Sequence, residues 1–315
     1  MDDIFISALV CIAALLVDVL VGEPRRWHPV VGFGQASAAL ERRLNVPGPW
    51  RASRGMMALL VLVGPVLTLV YWAERQLPDG GWLILEVLAV WLAISLRGLA
   101  EHGTAVSTAL RAGDLSQARE QVGRIVSRNA EALDERGVAA AASESMLENG
   151  ADAVFASLFW FLVAGVPGVL LHRMVNTLDA MWGYRNERFR QFGRAAARMD
   201  DLLNWVPARL TALTYAVLGQ TSQAWRCWQT QAKAWDSPNA GPVMAAGAGA
   251  LGVTLGGPAP YAGGTKQRPV LGCGPAPGAQ TIEASIQLVR RGAWLWVIVL
   301  MVGAGLGRVL MLGGA

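Results

Sequence analysis

The sequence predicts an all-α, polytopic integral membrane protein with a cytoplasm-facing polar helical region. Three observations predict it. Hydrophobic residues make up 53% of the 315 and charged ones only 16%, with mean hydropathy +0.36, whereas a soluble domain of this length carries more charge. Thirteen tryptophans accompany long apolar runs. Cysteine is confined to Cys11, Cys227 and Cys273, far apart and without C-x-x-C spacing, which implies neither a disulfide framework nor a zinc site.

Four segments are long and apolar enough to cross a hydrocarbon core of roughly 30 Å, which takes about 20 helical residues: 4–21, 55–73, 81–100 and 293–311. The N-terminal run follows an acidic start and precedes no A-x-A-like site, so it is expected to stay as an anchor and not to act as a secretory signal. Residues 1–100 therefore read as three transmembrane helices with a basic loop, 101–292 as a cytoplasm-facing and re-entrant helical catalytic region, and 293–315 as a C-terminal transmembrane helix. Arginine placement sets the orientation. Loop 22–54 carries Arg25, Arg26, Arg42, Arg43, Arg51 and Arg54 and is expected to be cytoplasmic.

Segment 153–171 resists that scheme. As a single crossing it would put Arg173, Arg185, Arg188, Arg190, Arg194 and Arg198 outside, against the charge rule. The interruption GVPG at 165–168 breaks a helix, so 153–182 is expected to enter and return as two half-helices, with its irregular backbone buried in protein. Four to six crossings remain open, because 207–219 and 241–255 are short. Segment 104–140 spaces its apolar residues at three to four with charges between, predicting amphipathic helices separated by a turn at RAGD. Residues 256–278 read as a Gly/Pro-rich loop.

Two motifs are decoys. GAGALG (247–252) fits G-x-G-x-x-G but follows no strand and lacks an acidic residue about twenty positions on; close helix packing by small residues explains it better. GGTK (263–266) has the wrong order for a phosphate loop.

The segment ESMLENGAD carries more. Glu144, Glu148 and Asp152 lie four residues apart and stack on one helix face, immediately before an apolar run. Such a face is either solvated, or it holds Mg²⁺ between carboxylates and nucleotide phosphates; ionisable groups near a membrane are costly and usually functional. Glu148 and Asp152 are the metal candidates. In NTLDAMWGYRNER, Asn176, Asp179 and Gly183 share a face, followed by Arg185, Asn186 and Arg188, either a juxtamembrane helix touching headgroups or a pocket wall with arginine for phosphate. Asp200, Asp201 and Asn204 fall within adjacent turns. Ser237 and Asn239 form a turn suited to a substrate loop or to a helix cap. His28 sits at the mouth of the first span, in an Arg-rich loop.

Together these stretches resemble the CobD/CbiB family of cobalamin biosynthesis, from DVLVGEPRRWHPV to LVRRG. Departures occur: GEP stands where GDP is common, and Asn129 stands where the family often has aspartate, so Asn129 is left out of the site. The resemblance implies an adenosylcobinamide-phosphate synthase of the bacterial inner membrane. Such an enzyme joins (R)-1-amino-2-propanol or its O-phosphate to the propionate of adenosylcobyric acid with ATP cleavage. It implies ATP and Mg²⁺, a corrinoid substrate, the lipid bilayer, other late cobalamin-assembly enzymes as partners, and no nucleic acid. Amide formation needs an activated carboxylate, neutralised phosphate charge and a base for the incoming ammonium. That assigns Glu144, Glu148 and Asp152 to metal or base roles and Arg185 and Arg188 to phosphate. Asn176, Asp179, Asn186, Asp200, Asp201, Asn204, Ser237, Asn239 and His28 would bind substrate. The alternative is a transporter or corrinoid-binding scaffold without catalysis, since broken helices and intramembrane acids also build transport sites.

Overall fold

A computed structural model describes residues 2–24, 28–261 and 263–312; Arg25 and Arg26 of the predicted basic loop lie outside them. In chain order the α-helices are α1 (Asp2–Val21), α2 (Pro29–Leu44), α3 (Arg51–Gln76), α4 (Asp79–Ala93), α5 (Leu96–Arg111), α6 (Leu115–Gly123), α7 (Glu135–Asn149), α8 (Ala156–Trp182), α9 (Arg194–Leu203), α10 (Trp205–Leu218), α11 (Thr221–Gln231), α12 (Ala240–Leu251) and α13 (Ala279–Leu312). Three-residue strands β1 (Thr254–Gly256), β2 (Ala259–Tyr261), β3 (Gly264–Lys266) and β4 (Val270–Gly272) pair antiparallel as β1 with β4 and β2 with β3. The expected Gly/Pro-rich loop thus contains two small ladders, with Tyr261 opposite Gly264 at the inner turn. Five helical stretches are long and apolar enough to cross a membrane: Ile4–Val21, Arg51–Gln76, Asp79–Arg111, Glu135–Trp182 and Ala279–Leu306.

The chain forms two compact units that do not follow sequence order: residues 1–95, 156–204 and 299–315 in the first, 96–155 and 205–298 in the second. The segment 101–292, read from sequence as one polar region, contributes to both.

In the first unit Ala58, Leu59 and Val63 of α3 pack with Met174, Leu178 and Trp182 of α8 and with Phe192 and Ala196. Close approach at this seam requires glycine: a Cβ on Gly55 would lie 1.9 Å from the Phe192 carbonyl oxygen. The opposite face of α3 presents Leu60, Leu69 and Trp72, each 60% exposed or more, an apolar surface that water would penalise and hydrocarbon would not. The predicted span 81–100 falls within the stretch Asp79–Arg111, which is interrupted once: α4 stops at Ala93 and α5 starts at Leu96.

The predicted break at GVPG is present. Within α8, Ala164 (φ −140°, ψ 19°) and Gly165 (φ 60°, ψ −150°) leave the helical region, with Pro167 just beyond. A Cβ on Gly168 would meet the Trp160 carbonyl oxygen at 2.4 Å. A continuous helix holds residues eight apart at about 12 Å, so the chain turns sharply at Ala164–Gly165.

In the second unit α12 is the buried element, with every residue from Ala240 to Ala250 inaccessible. The small residues of GAGALG permit this: a Cβ on Gly247 would strike Leu147, and one on Gly249 the Ala224 backbone. α5 and α6 are the expected amphipathic helices. Gly113 (φ 72°) makes the turn between them, and Asp114 caps α6 by accepting from the Gln117 N–H at 2.9 Å. At its C-terminal end α7 passes into a π-helical turn, Gly150–Phe155. There Phe155 stacks edge-on against Tyr215 at 5.8 Å and tilts against Trp296 at 5.2 Å.

Candidate functional site

The second unit holds a cavity of about 310 Å³ between α7, the β2–β3 hairpin and the segment before α12. Glu144 of α7 is 2% exposed and forms its floor. Its carboxylate accepts from Arg128, from Arg268 Nη1 at 2.8 Å and Nη2 at 3.3 Å, and from the Gly256 N–H of β1 at 2.9 Å. Both guanidiniums are themselves buried, at 10% and 7% side-chain exposure. Arg268 is fixed further by donating Nε to the Gly257 carbonyl at 3.0 Å and by lying 5.2 Å from the Trp235 ring. A carboxylate that would be expensive to bury alone is thus matched by two cations and a backbone donor. The cavity wall continues through Glu148, Asn149, Ser237, Tyr261 and Lys266, and Lys266 pairs with Asp236 at 2.6 Å.

Arg128 and Arg268 are the cavity residues that the sequence did not single out. Neither lies at helical spacing from Glu144, being 16 and 124 residues away. Lys266 belongs to GGTK, whose order does not match a phosphate loop, and it lines the cavity.

The three acids do not share one face. Glu144 and Glu148 line the cavity and Asp152 does not. Four-residue spacing stacks side chains only while the backbone stays α-helical, and the π-turn from Gly150 carries Asp152 round toward Tyr215. Tyr215, whose hydroxyl donates to the Leu147 carbonyl at 3.0 Å, is pushed well above the ordinary phenol range by burial and further by Asp152. Asn239 is buried, accepts from Arg209 Nη1 at 2.8 Å, and does not line the cavity. Ser237 does; its hydroxyl also accepts from the Ala240 N–H at 3.1 Å, capping α12.

The remaining predicted residues gather in the first unit. Asn176 of α8 donates to Asp200 of α9 at 3.2 Å, and His172 meets Asn204 at 2.9 Å. The amide of Gly183 donates to the Asp179 carbonyl at 2.7 Å. Burial raises Asp200 above the usual carboxylate range, with Asp201 adding to the rise against the hydrogen bonds of Asn176 and Asn204. Asp201 is raised by burial too, with Arg185 opposing. Arg188, expected on phosphate, is paired to Glu41 through Nη2 at 2.7 Å and Nε at 3.1 Å. Asn186 accepts from the Phe189 N–H at 3.0 Å and holds the turn before α9. His28 caps α2, its Nδ1 accepting from the Val30 N–H at 3.2 Å, and burial lowers its pKa.

Among the described residues no group of three or more His, Cys, Asp or Glu is arranged to hold a metal ion. With Glu144 committed to two guanidiniums, Glu148 is the remaining carboxylate of α7 on the cavity. This donor set fits an ion held chiefly by nucleotide phosphates, the usual manner of Mg²⁺, and does not fit a protein cage.

Fold and site together define an all-α protein of membrane-spanning composition built around a buried carboxylate–guanidinium cavity. The chain belongs to the CobD/Cbib protein family, whose sequence model matches residues 11–289. It is 56% identical over 304 residues to the cobalamin biosynthesis protein CobD of Chromobacterium violaceum, covering 95% of this chain and 97% of that one. Against the protein of the same name from Stutzerimonas stutzeri it is 58% identical over 297 residues, with 94% and 97% covered. Against that of Rhodobacter capsulatus it is 40% identical, with 90% and 93% covered. No solved structure matches the chain.

Proposed function

We propose that this protein acts in cobalamin biosynthesis, as the names of its relatives say of them. Its reaction is amide formation between the propionate of adenosylcobyric acid and (R)-1-amino-2-propanol or its O-phosphate, with ATP cleavage, giving adenosylcobinamide or its phosphate. The observation that carries the reading is the cavity in which Glu148 stands beside the Glu144–Arg128–Arg268 cluster. The enzyme would sit in the bacterial inner membrane with this cavity on the cytoplasmic side.

Glu144 holds two guanidiniums in place in a water-poor pocket, so their positive charge is fixed before a ligand arrives, which is what charge developing in an acyl transfer requires. Arg268 has all three nitrogens engaged by Glu144 and Gly257 and serves as a fixed charge. Arg128 gives Glu144 one nitrogen and has further donors for a phosphate or carboxylate oxygen. Glu148, free of the ion-pair cluster, is the group to take the proton of the attacking ammonium or to hold Mg²⁺; the ion would supply charge neutralisation to the nucleotide phosphates. Ser237 and Asn149 complete the polar wall. Asp152, Asn176, Asp179, Asp200, Asp201, Asn204 and Arg185 remain proposed substrate contacts.

The test is direct. Protein purified in detergent is given ATP, Mg²⁺, adenosylcobyric acid and either amine, and the amide product is read by mass spectrometry. Product that depends on ATP and disappears in Glu148→Gln supports the assignment. Normal product from Glu148→Gln removes Glu148 from the site; corrinoid uptake into vesicles without any amide product favours a transporter.

A further inference from the structure

We infer that the first unit carries a phosphate-binding site of its own, beyond the amide-forming reading above and built chiefly from Arg190, Arg194 and Arg198, to which that reading assigns nothing. The segment between α8 and α9 and the first two turns of α9 enclose a cavity of about 960 Å³. Arg185, Arg190, Arg194 and Arg198 line it, and the carboxylate among its lining residues is Asp201. Four guanidiniums therefore face one acid. Arg194 and Arg198, four residues apart in α9, stack on one helical face, and Arg190 joins them from the turn before the helix.

The neighbouring Arg188 supplies an internal contrast. It belongs to the same segment but turns away into a two-point pair with Glu41, whereas among the described residues no ion pair engages Arg190, Arg194 or Arg198. Charge on the segment is thus neutralised where structure needs it and left open at the cavity. Like charges gathered without counter-ions repel, a cost that a bound anion removes. Guanidinium forks match phosphate oxygens in pairs and suit phosphate better than a single carboxylate. Part of the lining is aromatic: Trp182, Tyr184 and Phe189 border the cavity, and Trp182 is itself packed edge-on against Phe192 at 5.0 Å. Gly193, at the start of α9, is required by shape, since a Cβ there would lie 1.8 Å from the Trp182 carbonyl oxygen. A ligand with more than one phosphate oxygen cluster and an apolar portion fits such a lining. Its phosphate can come from a soluble nucleotide or pyrophosphate, or from the headgroup of an anionic phospholipid.

The experiment titrates inorganic pyrophosphate by calorimetry into the full-length protein, held in phosphatidylcholine nanodiscs with or without phosphatidylglycerol. Native mass spectrometry records retained lipid. Binding is expected to weaken about tenfold in Arg194→Gln and again in Arg198→Gln, as loss of a charge-assisted hydrogen bond predicts, with Arg194→Lys keeping more affinity than Arg194→Gln. Arg136→Gln, an exposed change in the other unit, should leave binding as it was. Equal pyrophosphate affinity in both discs identifies a soluble phosphate. Competition by phosphatidylglycerol, together with its retention by the unmodified chain and loss from Arg194→Gln/Arg198→Gln, identifies a headgroup. Absence of both saturable pyrophosphate binding and lipid retention overturns the proposal, as does affinity indifferent to the arginine changes. Because binding and not turnover is read, this outcome is independent of whether amide formation is found.

Discussion

Glu144→Gln is the sharpest perturbation available in the second unit. Glutamine keeps the shape of the side chain and can still accept from the Gly256 N–H, but it removes the negative charge shared by Arg128 and Arg268. Those guanidiniums are 10% and 7% exposed, too deep for water to replace the lost partner, and they would be left beside each other. Removing one member of a buried ion pair costs roughly 3–5 kcal/mol, chiefly the desolvation of the stranded charge. At about 2–4 °C per kcal/mol for a domain of this size, that is a fall in melting temperature of roughly 6–20 °C. Differential scanning fluorimetry in one detergent, with the parent chain alongside, measures it. A melting temperature within about 2 °C of the parent would refute the reasoning, because it would mean the two guanidiniums do not depend on Glu144.

Three further outcomes are expected. Glu148→Gln, outside that ion-pair cluster, should leave the melting temperature nearly unchanged while abolishing amide product, a split that the turnover assay and fluorimetry read together. Gly55→Ala should destabilise the first unit by about 1–3 kcal/mol or more, since its Cβ would fall 1.9 Å from the Phe192 carbonyl oxygen; thermal melts and yield after gel filtration check it. Asp200→Asn bears on pH. Because burial raises this carboxyl in the folded state, its contribution to stability is present below the unfolded value near 3.9 and is lost as pH rises through the folded value. The substitution should therefore raise the melting temperature at neutral pH and change little below about pH 4, as a pH series of melts would record.

The legible parts of the fold were those governed by local chemistry. The RAGD turn was readable because Gly113 takes a positive φ and Asp114 is a cap. The packing role of GAGALG followed from small residues in an apolar helix, and the break in α8 from Gly165 and Pro167. The interruption at Ile94–Ser95 was not readable, since neither glycine nor proline marks it and hydropathy runs through it unbroken. The four strands are three residues each, too short for an alternating pattern. At the site, Glu148 and Ser237 could be proposed from their own neighbourhoods, whereas Arg268 meets Glu144 across 124 residues, a distance that no local periodicity encodes. Arg188 misled for the same reason: its partner Glu41 is 147 residues away.

The π-turn at Gly150–Phe155 has a consequence for how this segment can change. One residue added to a helical turn shifts everything beyond it by about 100° of azimuth. Glu148, before the turn, therefore answers to the cavity, whereas Asp152, within it, answers to Tyr215, and Phe155, its last residue, to Tyr215 and Trp296. Shortening the chain here by one residue would bring the acids into line while swinging Phe155 out of its aromatic cage, and lengthening it would misplace both. Substitutions can be absorbed at single positions along this stretch, but its length is a phase setting between two environments, and insertion or deletion is the change it cannot accommodate.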